Sequence, residues 1–72
     1  MKKYTLNTTP ELYFLADHAE IIVEDYIVRL YITVDDSTFF FDIATDEADL
    51  YKNGELICDS EKLLDEYNEA HP

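Results

Sequence analysis

The run from Tyr26 to Ala44 constrains this chain more than any other stretch: YIVRLYITV, then a polar DDS, then TFFFDIA. β-Branched and aromatic residues crowd both halves, and Asp35-Asp36-Ser37 has turn chemistry, so the run predicts an antiparallel hairpin. At period two, Tyr26, Val28, Leu30, Ile32 and Val34 share one face of the first strand. Phe39, Phe41 and Ile43 share one face of the return strand. Arg29, the only base of the hairpin, falls on the opposite face, in position to pair with Asp42 across the ladder.

Upstream, Thr8-Thr9-Pro10-Glu11 carries helix-start chemistry. Thr8 with Glu11 fits a capping box, and Pro10 suits a first turn, where its missing N–H is not needed. Leu12, Leu15, Ala16, Ala19, Ile22 and Val23 then recur at helical spacing. The expectation is a helix from Thr8 to Asp25, its apolar stripe laid on the hairpin. The β-branched Ile21-Ile22-Val23 leaves an extended segment from Ala19 to Glu24 as the alternative. Lys3 to Leu6 reads as a short edge strand, where lysine blocks further pairing.

Downstream, Asn53-Gly54 between short apolar runs predicts a second tight hairpin, because a type I′ turn needs positive φ at both positions. The competing reading is a two-turn helix from Asp46 to Lys52 with Gly54 as its αL cap. Asp59-Ser60 can cap a last helix from Glu61 to Glu69, with Leu63, Leu64 and Tyr67 inward and Asp65, Glu66 and Glu69 outward. The expected fold is a single α+β domain over residues 1–72. It is a small antiparallel β-meander of about four strands, with an N-terminal helix on one face and a short C-terminal helix at an edge.

A chain of 72 residues buries little surface, yet 47% of it is hydrophobic, which argues against disorder. Six tyrosines and four phenylalanines point to dense aromatic packing or a homodimer interface as the source of stability. The 17 acidic residues against 5 basic ones give a net charge of −12. That lies well beyond the magnitude of ~2–8 that suits a small soluble domain. Such charge opposes direct contact with nucleic acid or an anionic membrane and suits a basic protein surface. One cysteine, no leader-like apolar segment after Lys2-Lys3 and no run long enough to span a bilayer give a cytoplasmic expectation.

Motifs for chemistry fail on inspection. Asp49-x-Tyr51-x-Asn53-Gly54 begins like a calcium loop, but Tyr51 and Ser60 stand where ligands belong. One Cys and two His have no zinc spacing, and a single glycine builds no phosphate cradle. Cys58 with His18 is the only conceivable Cys–His pair for catalysis, and both read as packing residues. The expectation is therefore a non-enzyme with no cofactor or metal.

What remains is the distribution of acid. On the helical reading, Asp17, Glu20 and Glu24 line one face, with Tyr13 one turn earlier and Phe14 beside them as apolar anchors. Asp35 and Asp36 at the loop tip and Asp46, Glu47 and Asp49 in the connection extend the surface. Carboxylates four residues apart on a helix are ~6 Å apart in rise, comparable to successive phosphates. In size and charge, and in no motif, the chain is similar to small acidic phage proteins such as anti-CRISPR proteins, anti-restriction proteins and uracil-DNA glycosylase inhibitors. The expected function is a stoichiometric inhibitor that occupies the basic groove of a DNA- or RNA-handling enzyme. The alternative is a small acidic interaction or regulatory domain that mimics nothing.

Overall fold

The structure is a computed structural model that describes residues 1–8, 10–43 and 47–72. The elements are β1 (Lys2–Asn7), β2 (Leu12–Ala16), β3 (His18–Glu24), β4 (Ile27–Val34), β5 (Ser37–Asp42), β6 (Asp49–Lys52), β7 (Glu55–Asp59) and α1 (Ser60–Ala70). The strands make two antiparallel sheets, one of four strands in the order β2-β1-β6-β7 and one of three in the order β3-β4-β5.

The central hairpin forms as its alternation predicts. β4 and β5 pair with Leu30 opposite Phe41, Ile32 opposite Phe39 and Arg29 opposite Asp42. Arg29 donates from Nε to Asp42 at 3.0 Å and from Nη1 to Glu24 at 3.0 Å. The second hairpin also forms: Asn53 and Gly54 take φ of 51° and 83°, and Lys52 faces Glu55 beside the turn. From Asp49 to Lys52 the chain is strand, so the helical alternative fails there; Asp46 lies outside the described residues.

The expected α+β fold with an N-terminal helix is overturned. The molecule is mostly β, and residues 12–24 are two strands, β2 and β3, joined through Asp17. The reason lies in a phase shift. Leu12, Phe14 and Ala16 share the inner face of the first sheet, and Ala19, Ile21 and Val23 share the inner face of the second. A single corner residue separates the two alternations, so the inward set steps by three from Ala16 to Ala19. That step imitates helical spacing, whereas a strand that bends from one sheet into the other produces the same pattern. The strand formers Tyr13, Phe14, Ile21, Ile22 and Val23 then follow their own propensity. The helix-start reading at Thr8 is corrected too: its hydroxyl donates to the Pro10 carbonyl at 2.8 Å within a bend, and Thr9 is outside the described residues.

The N-terminal strand is central, not an edge. β1 pairs with β2 through Tyr4–Phe14 and with β6 through Leu6–Leu50. Tyr4, Leu6, Ala16, Ala19, Ile21, Val28, Leu30, Ala48 and Leu50 form the buried core between the sheets. Tyr4 stacks on Phe14 with ring centroids 5.5 Å apart.

The last helix forms as expected, with Asp59 Oδ1 accepting the Lys62 N–H at 3.2 Å as its N-cap. α1 packs against β3. Its far end is fixed by Tyr26, which donates to the His71 carbonyl at 2.8 Å and meets Tyr67 edge to face. Tyr26 itself sits in the β3–β4 turn with Asp25, at φ of 63° and 51°, rather than on the strand face expected for it.

Candidate protein-binding surfaces

The acids proposed from sequence do not line one face. Asp17 is at the corner between the sheets, half-buried, and its carboxylate accepts the Asp35 N–H at 2.7 Å. That role is structural. Glu24 is held by Arg29 and by Tyr31, whose hydroxyl donates to Glu24 Oε1 at 2.9 Å. Glu20 lies on the outer face of β3, 3.8 Å from the exposed ring of His18. Along a strand, ~3.3 Å per residue puts Glu20 and Glu24 ~13 Å apart, about twice the helical spacing. The phosphate-like run expected on Asp17, Glu20 and Glu24 is therefore absent.

Asp35 and Asp36 stay exposed at the β4–β5 turn, where Asp35 takes φ of 54°. Glu47 is exposed, Asp49 is half-buried opposite Asn7 and Asp59, and Asp46 is outside the described residues. The helical spacing reappears elsewhere. Glu61, Asp65 and Glu69 stand at i, i+4 and i+8 on α1, all exposed, with ~6 Å of rise between neighbours. Glu66 is also exposed beside them.

The two aromatic anchors separate. Phe14 packs on Tyr4 and the core, so it offers no anchor. Tyr13 is 64% exposed on the outer face of β2 and donates a hydrogen bond to Glu11. Leu15 and Leu56 are exposed on that same outer face.

The largest exposed aromatic feature is β5, which the sequence reading placed against the core. Phe39 and Phe41 do share a face with Ile32 and Leu30, yet they are 52% and 56% exposed, because the four-stranded sheet does not extend over them. Phe40 is 58% exposed on the other face, stacked on Tyr31 and lying 5.3 Å from the Arg29 guanidinium. Beside Phe41 a groove of about 680 Å³ opens between the sheets, lined by Leu6, Leu12, Phe14, Leu30, Ile32 and Ile43 among others. One signal for this was in the sequence: three consecutive phenylalanines on a strand cannot all face one core.

Burial pushes the Cys58 thiol up from its ordinary value and so lowers its thiolate fraction, an effect partly offset by a hydrogen bond from the Ile21 backbone. His18 lies on the outer face of β3, whereas Cys58 lies opposite Leu50 on the inner side of the other sheet. Among the described residues no three His, Cys, Asp or Glu side chains are grouped to hold a metal ion, and no helix is long and apolar enough to cross a membrane. No protein-family model matches the chain, and neither the curated proteins nor the solved structures give a match.

Proposed function

We propose that this chain is a stoichiometric, non-catalytic binding domain that docks on a basic protein surface, of the kind that a nucleic acid occupies in a DNA- or RNA-handling enzyme. The observation that carries the reading is the exposed acidic line of α1, Glu61, Asp65 and Glu69, on a molecule with net charge −12. Three carboxylates at ~6 Å steps on a rigid helix reproduce the charge spacing of a phosphate backbone. Asp35 and Asp36 add exposed charge at the β4–β5 turn. Its place of action on this reading is the cytoplasm, where such enzymes work.

The mechanism is competition. Long-range attraction speeds the encounter and weakens with salt, and the exposed rings of Tyr13 and Phe40 slow departure. Capture from lysate with and without nuclease identifies the enzyme. Inhibition is then compared when the domain meets the enzyme before or after its nucleic acid. Strong inhibition only in the first order is expected. Equal inhibition in both orders, with nucleic acid still bound, overturns the mimic and leaves a regulatory partner. Glu61→Lys, Asp65→Lys and Glu69→Lys together keep the far-UV spectrum and abolish binding.

The second reading, an interaction domain that mimics nothing, is favoured by one observation: the three exposed phenylalanines of β5, which no phosphate chain resembles.

A further inference from the structure

β5 is the last strand of its sheet, so among the described residues one of its backbone edges has no neighbouring strand. The Ile43 N–H donates inward to the Val28 carbonyl at 2.8 Å. Alternation along the strand then turns the N–H and C=O groups of Thr38, Phe40 and Asp42 outward. Free edges are normally guarded by lysine, proline, a bulge or a covering helix. α1 packs against β3, at the other edge of this sheet. On β5, the residues from Ser37 to Phe41 carry no charge, no proline and no register shift.

We propose that β5 accepts an extended, basic segment of a partner protein as a fourth antiparallel or parallel strand of this sheet. Main-chain pairing supplies affinity, and alternate side chains of the incoming strand supply selectivity. Those on the inner side lie against Phe39 and Phe41 and reach the apolar groove beside Leu30 and Ile32. Charge selects the occupant. Asp35 and Asp36 stand at one end of β5 and Asp42 at the other, on a chain of net charge −12. A second copy brings another −12 to the interface, which favours the monomer. A basic segment gains from the same field. The inference rests on the reading of the chain as an acidic partner-binding domain and adds where the partner's backbone docks.

The probe is a blocked synthetic peptide of alternating lysine and valine, with a glutamate–valine peptide as control. Binding is followed by calorimetry and by amide exchange resolved by NMR. The lysine peptide is expected to slow exchange at Thr38, Phe40 and Asp42 by at least about tenfold while the control does not bind. Thr38→Pro removes one outward N–H, which the ladder to β4 does not use, and is expected to weaken binding by about tenfold or more. Phe39→Thr with Phe41→Thr keeps strand propensity and tests the same site if the proline variant loses its fold. Binding with protection only at other amides overturns the docking site and leaves the acidic-domain reading standing. Equal binding of both peptides at β5 overturns the basic occupant. Protection of the same three amides without peptide, with a doubled mass in solution, overturns it in favour of a second copy. No binding of the lysine peptide overturns the inference, while order-of-addition inhibition decides the acidic-domain reading separately.

Discussion

The Asp17 carboxylate accepts the backbone N–H of Asp35 at 2.7 Å, tying the corner between the two sheets to the turn that joins β4 and β5. The Asp17 N–H in turn donates to the Thr33 carbonyl at 2.9 Å, so the corner is held on both sides. A hydrogen bond to a charged acceptor contributes roughly 1.5–3 kcal/mol, and Asp17→Ala should cost about that much. Asp17→Asn keeps an acceptor and should cost less. Thermal melts of the two variants check this; an unchanged melting temperature for Asp17→Ala would show that the Thr33 bond holds the corner alone.

High pH should weaken the fold through Tyr31. Its hydrogen bond to Glu24, with desolvation and the charge of Glu24 next, holds its phenol above the ordinary value of 10.0, and the bond to Glu11 does the same for Tyr13. A raised folded-state value means that this stability is complete below pH 10.0 and is lost as pH rises through the folded-state values. Tyr31→Phe should remove part of that alkaline loss. Urea unfolding at stepped pH reads it, and parallel alkaline curves for the two proteins would sink it.

Ser60 opens α1 fully buried, and its hydroxyl has no hydrogen-bond partner among the described residues. A desolvated, unsatisfied hydroxyl costs about 1–3 kcal/mol. Ser60→Ala, which leaves the backbone bond from Ser60 to the Ala48 carbonyl intact, should raise stability by about 1 kcal/mol and the melting temperature by about 4–8 °C. A lower melting temperature would mean that the hydroxyl has found a partner.

Salt should stabilise the protein. With 17 acids and 5 bases, self-repulsion opposes the compact state, and screening shortens to ~8 Å at physiological ionic strength. Melting should rise from very low to moderate sodium chloride. A flat curve would place compensation inside the fold, beyond the Arg29 pairs with Glu24 and Asp42.

What was legible in the sequence was local. The Asn53-Gly54 turn, the Asp59 cap and the Arg29–Asp42 pair each depend on residues close in the chain or directly across one hairpin, so their chemistry shows in the letters. The strand at Leu12 was not legible, and the one at His18 showed only as the extended alternative for Ala19 to Glu24, because a one-residue corner shifts the alternation and mimics a helical repeat. The candidate surface moved with them. Asp17 and Glu24 became internal partners, and the helical acid line passed to α1. The exposure of β5 was hidden for a different reason: whether a strand face is covered depends on how far the opposing sheet reaches, which alternation alone cannot express.

The position of β1 between β2 and β6 has a consequence in time. The three-stranded sheet is a meander of consecutive strands joined by tight turns, so its contacts are short-range. β1 can pair early with the nearby β2, but on its other side it must wait for Leu50, its partner at Leu6, to arrive from the other half of the chain, and such distant closures come late. Leu6→Ala should therefore mainly accelerate unfolding, whereas Leu30→Ala should mainly slow folding, and stopped-flow measurements separate the two. Strand β1 is then among the last to be paired along both edges, and until it is, the inner face of β6 around Leu50 lies open to the cell.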